Sequence, residues 1–97
     1  MSTKKQKVRN GKNYNELRAR MVQRGFTQEM LAEAIGLSAQ SISAKMNGHS
    51  EFSLDDIVSI GRVLGFSQED YYIVFIKPTE IALDEAGANQ GKTKGKN

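Results

Sequence analysis

The chain has no cysteine and no tryptophan, only one proline and one histidine, and no long apolar run. Without cysteine, neither a disulfide nor a thiolate-held metal braces the fold. The single histidine, His49, has only Glu51 as a carboxylate close by in sequence, so no nucleophile–base pair or metal-ligand spacing is spelled out. Gly87, Gly91 and Gly95 stand in a polar stretch without the flanking strand that a phosphate-cradling loop needs. Nothing approaches the roughly 18 apolar residues of a membrane span, and the N-terminus lacks an apolar leader core. The carboxylate pairs Asp55-Asp56, Glu69-Asp70 and Asp84-Glu85 fall at helix starts or in the tail, where negative charge complements a helix dipole. These absences exclude the common enzyme classes. The expectation is a cytoplasmic protein with no metal, no cofactor and no membrane partner.

What remains is a chain of 97 residues, enough for one small domain with a modest core. Its net charge of +3 is unevenly spread. Residues 1–13 carry Lys4, Lys5, Lys7, Arg9 and Lys12 with no acid, and residues 87–97 carry Lys92, Lys94 and Lys96 with no acid. The other six basic residues share positions 14–86 with all eleven acids, a net of −5. Basic ends of this kind suit a polyanion, because Lys and Arg beside phosphates release condensed counterions. Residues 1–13 therefore read as a flexible basic arm, 14–80 as the folded domain, and 81–97 as a polar tail, disordered from about residue 87.

Cap signals and apolar periodicity predict an all-α fold, a bundle of about five short helices between disordered basic ends. Asn13 followed by Glu16 forms a capping-box pattern at the first helix, with Leu17 and Met21 inside and Ala19 or Val22 beside them. Arg18, Arg20 and Arg24 fall on its outer side, and Gly25 ends it. Phe26 is placed to staple against Met30 just before the cap Thr27. Ser53 with Asp56 opens a helix to about Leu64 whose apolar set is Leu54, Ile57, Val58, Ile60 and Leu64, with Gly61 permitting close packing. Ser67 with Asp70 opens a last short helix to about Val74. Tyr71–Ile76 mixes strand-like β-branched and aromatic content with that cap, and Pro78 predicts an end before it, leading into an extended piece.

The stretch from Thr27 to Gly48 is the most informative. Met30, Leu31, Ala34 and Ile35 recur at helical spacing; Gly36, Leu37 and the cap Ser38 follow; then Ile42 and Met46 stand four residues apart. Two helices joined through a short glycine-containing turn, the second with a small, uncharged polar face, is helix-turn-helix geometry. Between Glu33 and Glu51 there is no carboxylate, and Lys45 is the only formal charge. Such a face tolerates approach to phosphates. Gln40 offers an amide that bonds adenine N6 and N7 together; Ala39 and Ala44 fit a thymine methyl; Ser43 suits either base type. Ser41 and Lys45 are further phosphate candidates.

Gln28, Leu31-Ala32, Ile35-Gly36-Leu37-Ser38, Ile42-Ser43 and Asn47-Gly48 together resemble the Cro/cI-type (XRE-like) helix-turn-helix of phage repressors, over roughly residues 14–76. Ser43-Ala44-Lys45-Met46-Asn47-Gly48 followed by Phe52-Ser53 is similar to small regulators of phages and mobile elements. The resemblance implies that Gln28 and Asn47 hold the DNA backbone and that the protein is a repressor binding a double-stranded operator as a homodimer, nucleoid-associated when bound. It lacks the second amide often found at Ala39, which leaves DNA shape or the basic arm to supply further specificity. Two alternatives use the same fold: an antitoxin that binds a protein partner through residues 71–86, and an interaction module without DNA.

Overall fold

A computed structural model describes residues 11–91, with side chains to residue 85. Helices α1 (Asn15–Gln23), α2 (Gln28–Ile35), α3 (Ala39–Met46), α4 (Leu54–Leu64) and α5 (Gln68–Tyr71) follow in order. A π-helical turn, Tyr72–Ile76, then joins α5 to α6 (Lys77–Gly91), so the last three pieces form one helical run. Among the described residues there is no strand. The predicted all-α fold of about five helices stands.

Four of the predicted caps take the expected form. Thr27 accepts the amide of Met30 at 3.1 Å, and Ser38 that of Ser41 at 3.0 Å. Ser53 with Asp56, and Ser67 with Asp70, close full capping boxes on α4 and α5. Side chain and backbone amide satisfy each other there, using only three residues of local sequence. At α1 the expectation fails. The cap residue is Tyr14, Asn13 accepts the amide of Asn15 at 2.8 Å, and Glu16 pairs with Arg20 instead of reaching back.

The core consists of Tyr14, Leu17, Met21, Leu31, Ala32, Ile42, Met46, Phe52, Ile60, Leu64, Val74 and Phe75. Tyr14, not Ala19 or Val22, completes the inner stripe of α1, while Val22 is exposed. The stripe of α2 is Leu31, Ala32 and half-buried Ile35; Met30 and Ala34 face outward, so half-buried Phe26 has no buried Met30 to staple against. On α4, Leu54 and Val58 are exposed, and Val63 takes part in their place. In each case the apolar surplus exceeded what one face could bury, and neighbouring helices selected the stripe.

Three rings join the start of α1, the loop before α4 and the π-helical turn. Phe52 stacks edge-on against Tyr14 at 5.2 Å and against Phe75 at 5.5 Å between centroids. Burial first, and Glu51 second, push the Tyr14 hydroxyl up to about 12. A methyl on Gly61 would overlap the Tyr71 ring, so this position admits the close crossing of α4 and α5. Arg20 is not an outer residue. It donates to Asp70 at 2.7 Å and Glu16 at 2.9 Å, and its guanidinium lies 5.7 Å from the Phe66 ring centroid.

The segment around Pro78 departs most from expectation. The chain neither ends its helix before the proline nor turns extended; it stays helical from Gln68 to Gly91, into the stretch read as tail. Proline lacks an amide and crowds the carbonyl four residues back. A π turn directly ahead of it, with the Lys77 amide bonded to the Tyr72 carbonyl, widens the helix where that crowding falls. The Thr79 hydroxyl donates to the Phe75 carbonyl at 2.8 Å, satisfying one acceptor in the disturbed turn.

Candidate nucleic-acid interface

The two central helices are joined by Gly36, Leu37 and Ser38. Gly36 ends α2 at φ 81°, a left-handed conformation that favours glycine, and the Leu37 amide returns to the Ala32 carbonyl at 2.9 Å. Ser38 then starts α3 within two residues. Ile42 and Met46 are buried, which pins the register of α3 and decides which side chains remain outside.

Gln40, Ser43, Ala44 and Asn47 follow the i, i+3, i+4, i+7 rhythm of a single helix face. Gln40 and Asn47 are exposed, and Ser43 and Ala44 are half-buried beside them. Ala39 is exposed at the start of α3, and Ser41 is half-buried one turn before Lys45. Gln28 occupies the first position of α2, half-buried, where helix amides point outward beyond the first turn. The structure thus places every one of these sequence-predicted residues at the surface of the α2–α3 unit.

Lys45 is different. Its ammonium donates to the Glu51 carbonyl at 2.9 Å and lies 3.3 Å from Asp56, with only 16% of the side chain exposed. It ties α3 to the loop and to the first turn of α4. Burial alone would raise the Asp56 carboxyl, but the Ser53 amide, the Lys45 ammonium and the Ser53 hydroxyl outweigh it and hold the group below its ordinary range.

Sequence reasoning missed Arg18. It was read as outward on α1, yet its guanidinium donates to the Asn47 side-chain oxygen at 3.0 Å, and the Asn47 amide nitrogen donates to the Ser43 hydroxyl at 3.3 Å. Twenty-nine positions separate Arg18 from Asn47, so no local signal pointed to the pair. Around them lies a depression of about 310 Å³ lined by Lys12, Asn13, Asn15, Arg18, Met46 and Asn47, among others. The last residues of the basic arm therefore run beside the end of α3. Lys12 there pairs with Glu51. Lys4, Lys5, Lys7 and Arg9 lie outside the described residues.

Among the described residues no group of three or more His, Cys, Asp or Glu side chains is arranged to hold a metal ion, and no helix is long and apolar enough to cross a membrane. His49 is exposed in the loop after α3. The face offers hydrogen-bonding groups and small apolar ones, the chemistry of recognition.

No curated protein matches the chain. A helix-turn-helix family model matches residues 17–71, from the first buried leucine of α1 to the end of α5. That span includes α2, α3 and the turn between them, with the exposed face just described. The chain belongs to the XRE-like helix-turn-helix family of DNA-binding transcription regulators.

Proposed function

We propose that this regulator is a repressor of a phage or mobile-element genetic switch, acting on the bacterial nucleoid by occupying a double-stranded operator as a homodimer. The observation that carries the DNA-reading part is the surface of α3: Gln40, Ser43, Ala44 and Asn47 share one face that holds no carboxylate. Helix α3 enters the major groove, Gln40 reads an adenine edge, Ser43 bonds a base, and Ala39 and Ala44 meet thymine methyls. Gln28, Ser41 and Asn47 hold phosphates on either side, and Arg18 joins them at the Asn47 end. The repressor role and the phage setting rest on the likeness of Ser43–Gly48 and Phe52-Ser53 to small phage and mobile-element regulators.

One α2–α3 unit covers a half-site, and two half-sites lie about one turn (roughly 34 Å) apart. The helical run after α5 supplies a surface for pairing: Tyr72, Ile76, Ile81 and Leu83 are exposed apolar side chains there, whereas Val74 and Phe75 are spent in the core. Selection of bound sequences from a randomised duplex library, followed by transcription in vitro from a promoter bearing the selected site, tests the proposal. Expected are a palindromic motif, two chains per duplex, and less transcript. Failure to enrich any sequence at low salt overturns DNA reading; a rise in transcript overturns repression.

A further inference from the structure

We infer that the groove between the start of α1 and α6 is a docking site for Lys7, Val8 and Arg9 of this same chain, and that DNA competes with the groove for them. The groove has a volume of about 390 Å³ and is lined by Gly11, Glu16, Ile73, Pro78, Ile81 and Glu85, among others. Ile73, Pro78 and Ile81 supply apolar surface, and Glu16 and Glu85 supply two carboxylates. Lys77 is the one cation of the lining, which is therefore net −1. Glu85 is exposed; Glu16 shares one oxygen with Arg20, and 44% of its side chain stays exposed. A groove of this mixed character takes an aliphatic side chain with a cation beside it. Among residues 2–10, Val8 is the only aliphatic residue, and Lys7 and Arg9 flank it.

Position favours the arm over a dissolved ligand. The described chain starts at Gly11, which belongs to the lining itself and where a Cβ would lie 3.7 Å from that of Ala82 on α6. Val8 is three residues further back, within about 10 Å of extended chain. So short a tether gives the arm an effective concentration on the order of millimolar at the groove. Charge points the same way, because the arm is basic throughout and the folded region is net −5.

In the free protein Val8 packs on Ile73, Pro78 and Ile81, and Arg9 pairs with Glu85. Gly11 also lines the depression beside Asn47, so the arm leaves the domain between its two alternatives. An Arg9 held by Glu85 is withheld from phosphate, and binding weakens by the fraction of chains whose arm is docked. The competition rests on α3 being the helix that reads DNA; the docking does not.

Two measurements on the full chain and on the chain lacking residues 2–10 test the two halves. Without DNA, the methyl resonances of Ile73 and Ile81 are expected to move when the arm is deleted, while those of Ile60 in the core stay in place. Unmoved resonances overturn the docking, and a difference that vanishes on dilution assigns the groove to the arm of another copy and overturns it as well. With DNA, Glu85→Lys is compared at low salt with Asp84→Lys, the same charge change at the adjacent position. In the full chain Glu85→Lys is expected to tighten binding roughly 2–5-fold more than Asp84→Lys, the worth of one exposed ion pair. In the truncated chain the two variants should act alike. Equal effects in the full chain overturn the competition. If the parent chain binds no duplex, the reading of α3 fails and the competition with it, whereas the methyl resonances still decide the docking.

Discussion

Gln40 and Lys45 stand on the same short helix, yet the structure gives them opposite surroundings. Gln40 is exposed, while Lys45 is folded back onto Asp56 and the Glu51 carbonyl. Removing the Lys45 ammonium leaves a carbonyl and a carboxylate without their partner, which costs roughly 1–2 kcal/mol at a site of this modest exposure. Lys45→Ala is therefore expected to lower the urea midpoint and to leave the salt dependence of DNA binding nearly unchanged. A drop of about one unit in the log–log salt slope would instead make Lys45 a phosphate contact. Gln40→Ala should have the reverse profile: unchanged stability, and a loss of about 1–3 kcal/mol in discrimination at one or two base pairs. Gln28→Ala should weaken binding to all sequences alike, because phosphate contacts carry no base information. Affinities of both variants on the selected site and on a scrambled duplex separate the two roles, and equal losses on both for Gln40→Ala would remove it from base reading.

Between elements, two contacts decide how the end of the domain sits on its beginning. At Gly61 the helices α4 and α5 cross so closely that a methyl would strike the Tyr71 ring. Alanine is the better helix former by about 1 kcal/mol, whereas overpacking costs about 1–3 kcal/mol. Gly61→Ala is thus expected to destabilise the fold by up to about 2 kcal/mol in chemical denaturation; a more stable variant would contradict the close crossing. The second contact is Arg20 with Asp70, linking α1 to α5. The Ser67 amide first, and Arg20 next, hold the Asp70 carboxyl down at about 2, against an ordinary value of 3.8. Because the folded value is the lower one, the stabilisation is fully present above about pH 4 and is lost as pH falls through about 2. Asp70→Asn should flatten the decline in urea midpoint across that window, and an unaltered decline would show that another group carries it. These elements also mark what sequence alone discloses. The caps at Thr27, Ser38, Ser53 and Ser67 were legible because each bond spans three residues. The run through Pro78 was not, since β-branched propensity and the proline both pointed away from a helix that a π turn and burial of Val74 and Phe75 sustain. Arg20 was misplaced, and the contacts of Arg18 and Lys45 were not foreseen, for a common reason: their partners come from other elements of the chain.

Over the whole molecule, charge is divided between a folded region of net −5 and ends that are basic throughout. The acidic balance of the folded region repels DNA at long range, so attraction must come from local placement of cations. Lys12 and Arg18 line the depression beside Asn47, which sets the start of the basic arm next to the end of α3. Lys12 is engaged with Glu51, leaving Lys4, Lys5, Lys7 and Arg9 as the arm's cations for phosphate. Each phosphate neutralised adds about 0.9 to the slope of log affinity against log salt. Deleting residues 2–10 is expected to flatten that slope by roughly two to three units, the change for two or three neutralised phosphates. Affinity should fall on every duplex while the selected motif is retained, because the residues on α3 that read bases are untouched. If Arg9 enters a minor groove, preference for A·T pairs flanking the motif disappears with the deletion as well. A salt titration of the truncated chain against the intact one checks the prediction. A slope unaltered by the deletion would mean that the arm keeps the protein soluble and that α2, α3 and the start of α1 make all of its phosphate contacts.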